Sequence, residues 1–211
     1  MTPAASPRAT FSHVPDPPPG FPVRLEPLCE AHRAGLAAAA ADPAIWRWWP
    51  RDVVGTGWDT QFDWQLAEQA AGRWLLHTVF DCRDGDAGRI VGQTCYIDPR
   101  PVSGCVEIGG TWYAPQVQGT LVNPACKRLM LGHAFACGAE RVELKTDARN
   151  AASRAAMEKM GARFEGIFRR HVPLPDGSWR DSAWYSVIRP EWEAVQAGLE
   201  ARLARPMRAH G

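Results

Sequence analysis

Ten residues after the end of a strand pattern this chain begins a helix, and that junction limits its fold more than any other stretch. Val106–Tyr113 reads as a strand, the next residues as a polar loop holding Gly119, and Asn123-Pro124 as a helix start. Asparagine is a good N-cap, and proline suits a first helical position because its missing N–H costs nothing there. Cys126, Leu129, Met130, His133, Ala134 and Cys137 recur at helical spacing, and Gly138 is a natural stop. Val142, Leu144 and Thr146 then alternate as a strand. Strand, helix and strand in that order make a crossover. Gly109-Gly110 inside the first strand marks a bulge or a close backbone approach.

The flanking elements follow from similar signals. Residues 1–20, rich in proline and alanine, read as a flexible tail, with a single domain over 21–205 and a short C-terminal tail over 206–211. Val23 and Leu25 suggest a first strand, Glu30–Ala41 and Trp58–Arg73 helices, and Trp74–Phe80 and Arg89–Ile97 strands joined by the turn Asp84–Gly88. Asn150 caps a short helix, Ala151–Met160, closed by Gly161. Arg163–Val172 and Ser178–Ile188 form a hairpin, and Glu191–Leu203 a last helix. Hairpins mixed with crossovers predict an α+β sheet carrying helices on both faces.

Composition excludes several function classes. At 211 residues the chain can bury a full core, and its net charge of +1 gives no field for nucleic acid or an anionic membrane surface. No apolar run approaches the ~20 residues that span a bilayer. No signal-peptide pattern opens the chain, so a cytoplasmic location is expected. The six cysteines include no C-x-x-C pair, so neither a zinc site nor another metal site is expected, and the thiols read as reduced and buried.

The loop before the crossover helix carries the chemistry. Backbone N–H groups at a helix start, backed by the positive end of its dipole, bind anions, and a loop with inward N–H groups can cradle a pyrophosphate. The chain has no G-x-x-x-x-G-K-[ST], no G-x-G-x-x-G after a strand and no G-x-S-x-G. Gln116–Leu121, Q-V-Q-G-T-L, resembles the acyl-CoA signature Q/R-x-x-G-x-G/A of the GNAT acetyltransferases. The wider run G-T-W-Y-A-P…Q-G-T-L-V-N-P-A-C-K…L-G-H-A-F resembles the RimJ/RimL-like branch. So do V-R-L-E-P-L, R-V-E-L-K-T-D-A-R-N-A-A-S-R-A-A-M-E-K-M-G-A and E-G-I-F-R-R-H-V…P-D-G-S-W-R-D-S-A-W-Y-S-V-I. Together they cover about residues 22–204. One position departs from the signature: Leu121 stands where glycine or alanine is usual.

The resemblance implies a mixed, mostly antiparallel central sheet, splayed between Val106–Tyr113 and Arg141–Asp147 where the pantetheine arm of acetyl-CoA lies. It gives the pyrophosphate to the backbone of Gln118, Gly119, Thr120, Leu121 and Val122 and the helix start at Asn123, with Lys127 in reach of a phosphate. It places Asn150 against the cofactor arm and makes Ser153, by its N-x-x-S match, the candidate acid for the thiolate. Tyr185 is a second acid candidate. Glu107, an acidic residue near the splay, is the candidate base. Trp46, Trp48, Trp49 and Trp58 suggest an aromatic acceptor wall, with Trp46 and Trp49 the chosen candidates, and His171 borders the acceptor site. The implied activity is transfer of an acetyl group to a primary amine, on a small molecule or a peptide N-terminus. An acyl-CoA-binding module of the same fold without turnover is the second reading. Acceptor identity is left open, as is whether the chain forms a homodimer.

Overall fold

The computed structural model describes residues 6–85 and 87–204. Asp86 of the 84–88 turn, residues 1–5 and residues 205–211, with the C-terminal tail over 206–211, fall outside them. Among the described residues seven strands form one sheet: β1 (Val23–Pro27), β2 (Trp74–Asp81), β3 (Arg89–Arg100), β4 (Cys105–Tyr113), β5 (Arg141–Asp147), β6 (Arg163–Pro173) and β7 (Trp179–Ile188). Their order is β1-β2-β3-β4-β5-β7-β6, with β4–β5 the parallel pair and each other neighbour antiparallel. Helices α1 (Arg33–Ala39), α2 (Val53–Thr56) and α3 (Trp58–Ala70) pack on one face, and α4 (Val122–Ala136), α5 (Ala151–Met160) and α6 (Trp192–Leu203) on the other. None of the described helices is long and apolar enough to cross a membrane.

Alternation along the strands sorts residues between the faces. Val106, Ile108, Val142, Leu144, Ala183, Tyr185 and Val187 enter the larger core with α4, α5 and α6. Leu76, Cys95 and Trp112 enter the smaller one with Leu36, Trp46 and Phe62. No residue of β5, β6 or β7 joins that smaller core. Their share of this face is polar instead, carrying Glu143, Lys145, Asp147, Ser182 and Ser186.

Two expectations need correction. Asn123 does not cap α4: the helix begins at Val122 with Leu121 at the N-cap, and the Asn123 side chain accepts instead from the Tyr113 hydroxyl at 3.2 Å. Pro124 still falls in the first turn, where its lack of an N–H is harmless. The second concerns residues 1–20, which are not all a loose tail. Arg8 and Ala9 donate N–H groups to the Pro101 carbonyl, Thr10 donates to that of Cys137, and Val14 donates to His77 Nε2 at 3.0 Å. Ala9 and Val14 are buried, and Phe11 packs against the larger core. A few apolar side chains suffice because the segment also pairs its backbone with the Cys137 carbonyl at the end of α4, with the His77 ring, and with the Pro101 carbonyl, which accepts from Gly104 within the β3–β4 turn as well.

His77 holds this segment from a fully buried position. Burial, with His13 and His133 nearby, pulls its pKa down to about 3. The native state therefore binds fewer protons than the unfolded chain between about pH 3 and 6.5, and stability falls as pH drops through that window. His77→Gln keeps an acceptor for Val14 and removes the titration. In urea denaturation the wild type is expected to lose about 2 kcal/mol more than His77→Gln between pH 6.5 and 4.5; equal losses refute this.

Candidate active site

The sheet opens at its parallel pair. β4 and β5 pair through Cys105–Arg141, Val106–Val142 and Glu107–Glu143 and then part. Three steps along β4, from Gly109 to Trp112, match two along β3, so a bulge falls at Gly110-Thr111. Gly110 has φ +54°, and a Cβ there would lie 2.6 Å from Cys95 Sγ, so both conformation and space require glycine. Past the bulge, β4 keeps β3 and β5 keeps β7, but neither has a strand partner across the gap among the described residues. The backbone groups of Ile108–Tyr113 and Leu144–Asp147 that face the gap are thereby open to an extended ligand, except the Tyr113 and Asp147 carbonyls, which accept from Gln118 and from the Asn150 N–H.

Both crossover helices start at the open end of this gap, as is usual outside the carboxyl ends of parallel strands. In the loop before α4, Gly119 has φ +75° with open space where a Cβ would stand. The Thr120 hydroxyl donates to the Val117 carbonyl and accepts from Val122 N–H, bending the loop. The amides of Gly119, Leu121 and Asn123 take no partner among the described residues. Leu121 has φ −74°, an ordinary helical value, so the departure from the glycine signature brings no strain. Beyond β5, Asn150 caps α5 by accepting from Ser153 N–H at 3.1 Å. An orphan-amide cradle, an open strand gap and a capped second helix fit the pyrophosphate and amide-bearing arm of acetyl-CoA.

Lys127 is placed differently from expectation. It points inward from α4, is 7% exposed, and donates to Thr111 Oγ1 at 3.1 Å, beneath the bulge. It makes no ion pair among the described residues, and burial pulls its pKa down to about 8. It is a floor residue of the gap, not a surface lysine at the phosphates.

On the other face, β4, β5 and β7 bring a charged cluster together. Glu107 is 5% exposed and accepts from Lys145 Nζ at 2.5 Å. Burial pushes its carboxyl above the ordinary range, against the opposing pull of Lys145. Lys145 also lies over the Trp184 ring. Asp147 is held by Arg149 at 2.8 and 2.9 Å, and Arg149 in turn lies over Trp48. Between Phe168 and Val172, β6 spends four steps against two of β7. This second bulge puts Arg170 at φ +48°, with its N–H donating to Asp181 Oδ1 at 2.6 Å. His171 is thereby turned inward, 3.0 Å from Ser182 Oγ and edge-on to Phe168 and Trp184. Ser182 Oγ also accepts from Arg180 Nε at 3.0 Å. A cleft of about 910 Å³ lies over Phe168–His171 and Asp181.

The sequence expectations divide on this geometry. Glu107 and His171 lie on this polar face. Tyr185 does not: Leu144 and Tyr185 are register partners on the opposite face, while Lys145 and Trp184 share that of Glu107. The Tyr185 hydroxyl donates to Glu158 and accepts from Arg154, tying α5 to β7. Trp46 is core, donating to the Ala40 carbonyl and packing on Trp49, Trp58 and Trp112. Trp48 instead reaches the charged cluster. Lys145, Arg180, Ser182 and Trp184 escape sequence reading; the alternation K-T-D on β5 and R-D-S-A-W on β7 is their only signal. No described group of His, Cys, Asp or Glu could hold a metal ion, and the six cysteines are unpaired.

A parted parallel pair with an amide cradle at its mouth fits a protein that uses acyl-CoA. The chain belongs to the GNAT acetyltransferases: the model of the acetyltransferase (GNAT) domain matches residues 23–163. An assigned acetyltransferase from T. thermophilus is similar at 33% identity, over 92% of this chain and 100% of that one, with a TM-score of 0.80. A GCN5-related N-acetyltransferase from Brucella melitensis is similar at 30% identity, over 88% and 84%, with a TM-score of 0.78. Mycobacterium smegmatis RimJ, solved with CoA-disulfide, is similar at 25% identity, over 85% and 88%, with a TM-score of 0.70. No curated protein sequence gives a significant match.

Lys127 yields a prediction independent of turnover. Because the native state sheds this proton at about pH 8 and the unfolded chain near 10.5, stability rises as pH climbs between them. Lys127→Met is expected to abolish that rise and to be more stable than wild type near pH 7. Denaturant midpoints at pH 7.5 and 10 decide it; parallel changes in the two proteins refute the inward, unpaired placement.

Proposed function

We propose that this acetyltransferase moves the acetyl group of acetyl-CoA to a primary amine, on a small molecule or a peptide N-terminus, by direct attack in a ternary complex. The observation that carries the reading is Glu107, a buried carboxylate at the last paired position before β4 and β5 part. Bound in the gap, acetyl-CoA supplies a thioester-activated acetyl group. Glu107 takes the proton that an acceptor ammonium must lose before its nitrogen can attack. Lys145, beside it, disfavours a second cation and so favours the neutral amine. Unpaired N–H groups of β4 beyond the bulge are donors for the carbonyl oxygen as negative charge develops. The hydroxyl of Ser153, on the first turn of α5, relays to the departing thiolate the second proton that the nitrogen loses as the tetrahedral intermediate collapses to the amide.

Direct attack is favoured over an acyl-enzyme by Cys95, the thiol nearest the bulge. It is fully buried, donates to the Gly109 carbonyl at 3.2 Å, and burial raises its pKa well above the ordinary value, which leaves it a poor nucleophile.

Glu107→Gln is expected to lower kcat about 100-fold or more while leaving acetyl-CoA affinity, read by calorimetry, within about 3-fold, on the argument that the base does not touch the donor. In the wild type, kcat/KM should fall on acidification with a midpoint above 4.5, because the active form is the carboxylate and burial raises its pKa. Unchanged kcat in Glu107→Gln removes the base assignment. Acetyl-CoA binding without thiol release across an amine panel would instead leave an acyl-CoA-binding module.

A further inference from the structure

Arg180 is the side chain that the reaction leaves unexplained. It is 7% exposed, its Nε donates to Ser182, and its terminal nitrogens take no partner among the described residues. The carboxylates around it are committed elsewhere: Glu107 to Lys145, Asp147 to Arg149, and Asp181 to the Arg170 N–H. Arg180 makes no ion pair with any described group. A guanidinium largely withdrawn from water without a counterion in contact is costly, and arginine cannot shed its proton to escape the cost. On the same face, Trp184 Nε1 is buried without an acceptor among the described residues. With Lys145 above the Trp184 ring, the face holds three donor groups, and of Lys145, Arg149 and Arg180 it is Arg180 that has no carboxylate partner among the described residues.

We propose that the acceptor amine carries an anionic oxygen group, a carboxylate or a phosphate, and that Arg180 binds it, with Trp184 as a second donor. The planar fork of arginine matches either group through paired N–H bonds. Ser182 holds the guanidinium through Nε and leaves the terminal nitrogens for the ligand. Phe168, His171 and Trp184 form an aromatic wall beside the anion. Amines without an anion leave the Arg180 charge buried and unanswered, so they are discriminated against. The inference rests on the amine-acceptor reading above, and its test separates the two.

Three matched pairs serve as probes: phenylalanine against phenylalaninamide, glycyl-aspartate against glycyl-asparagine, and O-phosphoethanolamine against ethanolamine. Thiol release from acetyl-CoA reports turnover, and calorimetry of the enzyme saturated with CoA reports binding without chemistry. In the wild type, at least one anionic member is expected to bind and react at least 10-fold better than its neutral match. Which pair responds tells carboxylate from phosphate. Arg180→Gln is expected to erase the preference by raising KM for the anionic member, with acetyl-CoA affinity unchanged, and Arg180→Lys to restore part of it. Melting temperature and acetyl-CoA affinity of the variants control for folding. Arg180-dependent binding of an anionic probe without thiol release keeps this inference and removes the transfer reading. Turnover of amines with no anionic preference in any pair, no binding of any anionic probe, or a preference that survives Arg180→Gln overturns the inference and leaves the transfer reading intact.

Discussion

The site depends on β4 and β5 parting after three paired residues. A parallel pair joined through a helix would ordinarily continue to the end of the shorter strand, since each unpaired N–H and C=O that stays buried costs free energy. Here the bulge at Gly110-Thr111 turns β4 away while β3 follows it, and β7 holds β5 on its own course along all seven residues. The gap is thus offset by pairing on the outer sides of both strands. It leaves two short rows of backbone groups facing one another across an opening, with the starts of α4 and α5 at its mouth.

Two bulges, at Gly110-Thr111 and at Arg169–His171, set which side chains meet on each face. A shift of one residue in either strand would send Glu107 into the apolar core or His171 out to solvent, because side-chain direction alternates at every step. The α4 face of β5 and β7 is filled by packing, with Leu144 beside Tyr185, and the other face by polar groups, with Lys145 beside Trp184. One pair of strands thereby anchors α5 on one side and presents charges on the other. The N-terminal segment contributes away from this region, bracing the β3–β4 turn and the end of α4 through Pro101 and Cys137.

Most elements are legible in the sequence because their signals are local. Asn150 and Gly161 bound α5 as their types predict, and β2, β5 and β7 begin and end within a residue of their apolar patterns. The failures are tertiary. Asn123 has the right type for a cap, yet the loop closes earlier through Thr120, and the asparagine is claimed by Tyr113. Lys127, one turn into the helix after the loop, is expected in reach of a phosphate; only the position of Thr111 on the bulged strand shows why it turns inward. Trp46 and Trp48 are two residues apart in an aromatic cluster, and nothing local tells which is core and which lies over Arg149. For residues 8–14 composition is a poor guide, since their pairing comes from groups more than sixty residues away.

The contrast between Lys127 and Arg180 shows how the fold treats two buried cations. Neither has a carboxylate within reach among the described residues. Lysine can relieve the cost of burial by releasing a proton, and the pKa of Lys127, near 8, sits within about a unit of physiological pH. Its charge is therefore a matter of small changes in its surroundings, and a neutral amine donating to Thr111 is an acceptable resting state. Arginine has no such exit. Burial lowers the pKa of Arg180 too, but the guanidinium stays charged at any pH at which the protein folds. Asp147 and Glu107 act on it only at a distance, each already neutralised by its own partner. A permanent charge in that setting costs stability in the free protein, and the proposed anionic acceptor is what would offset it.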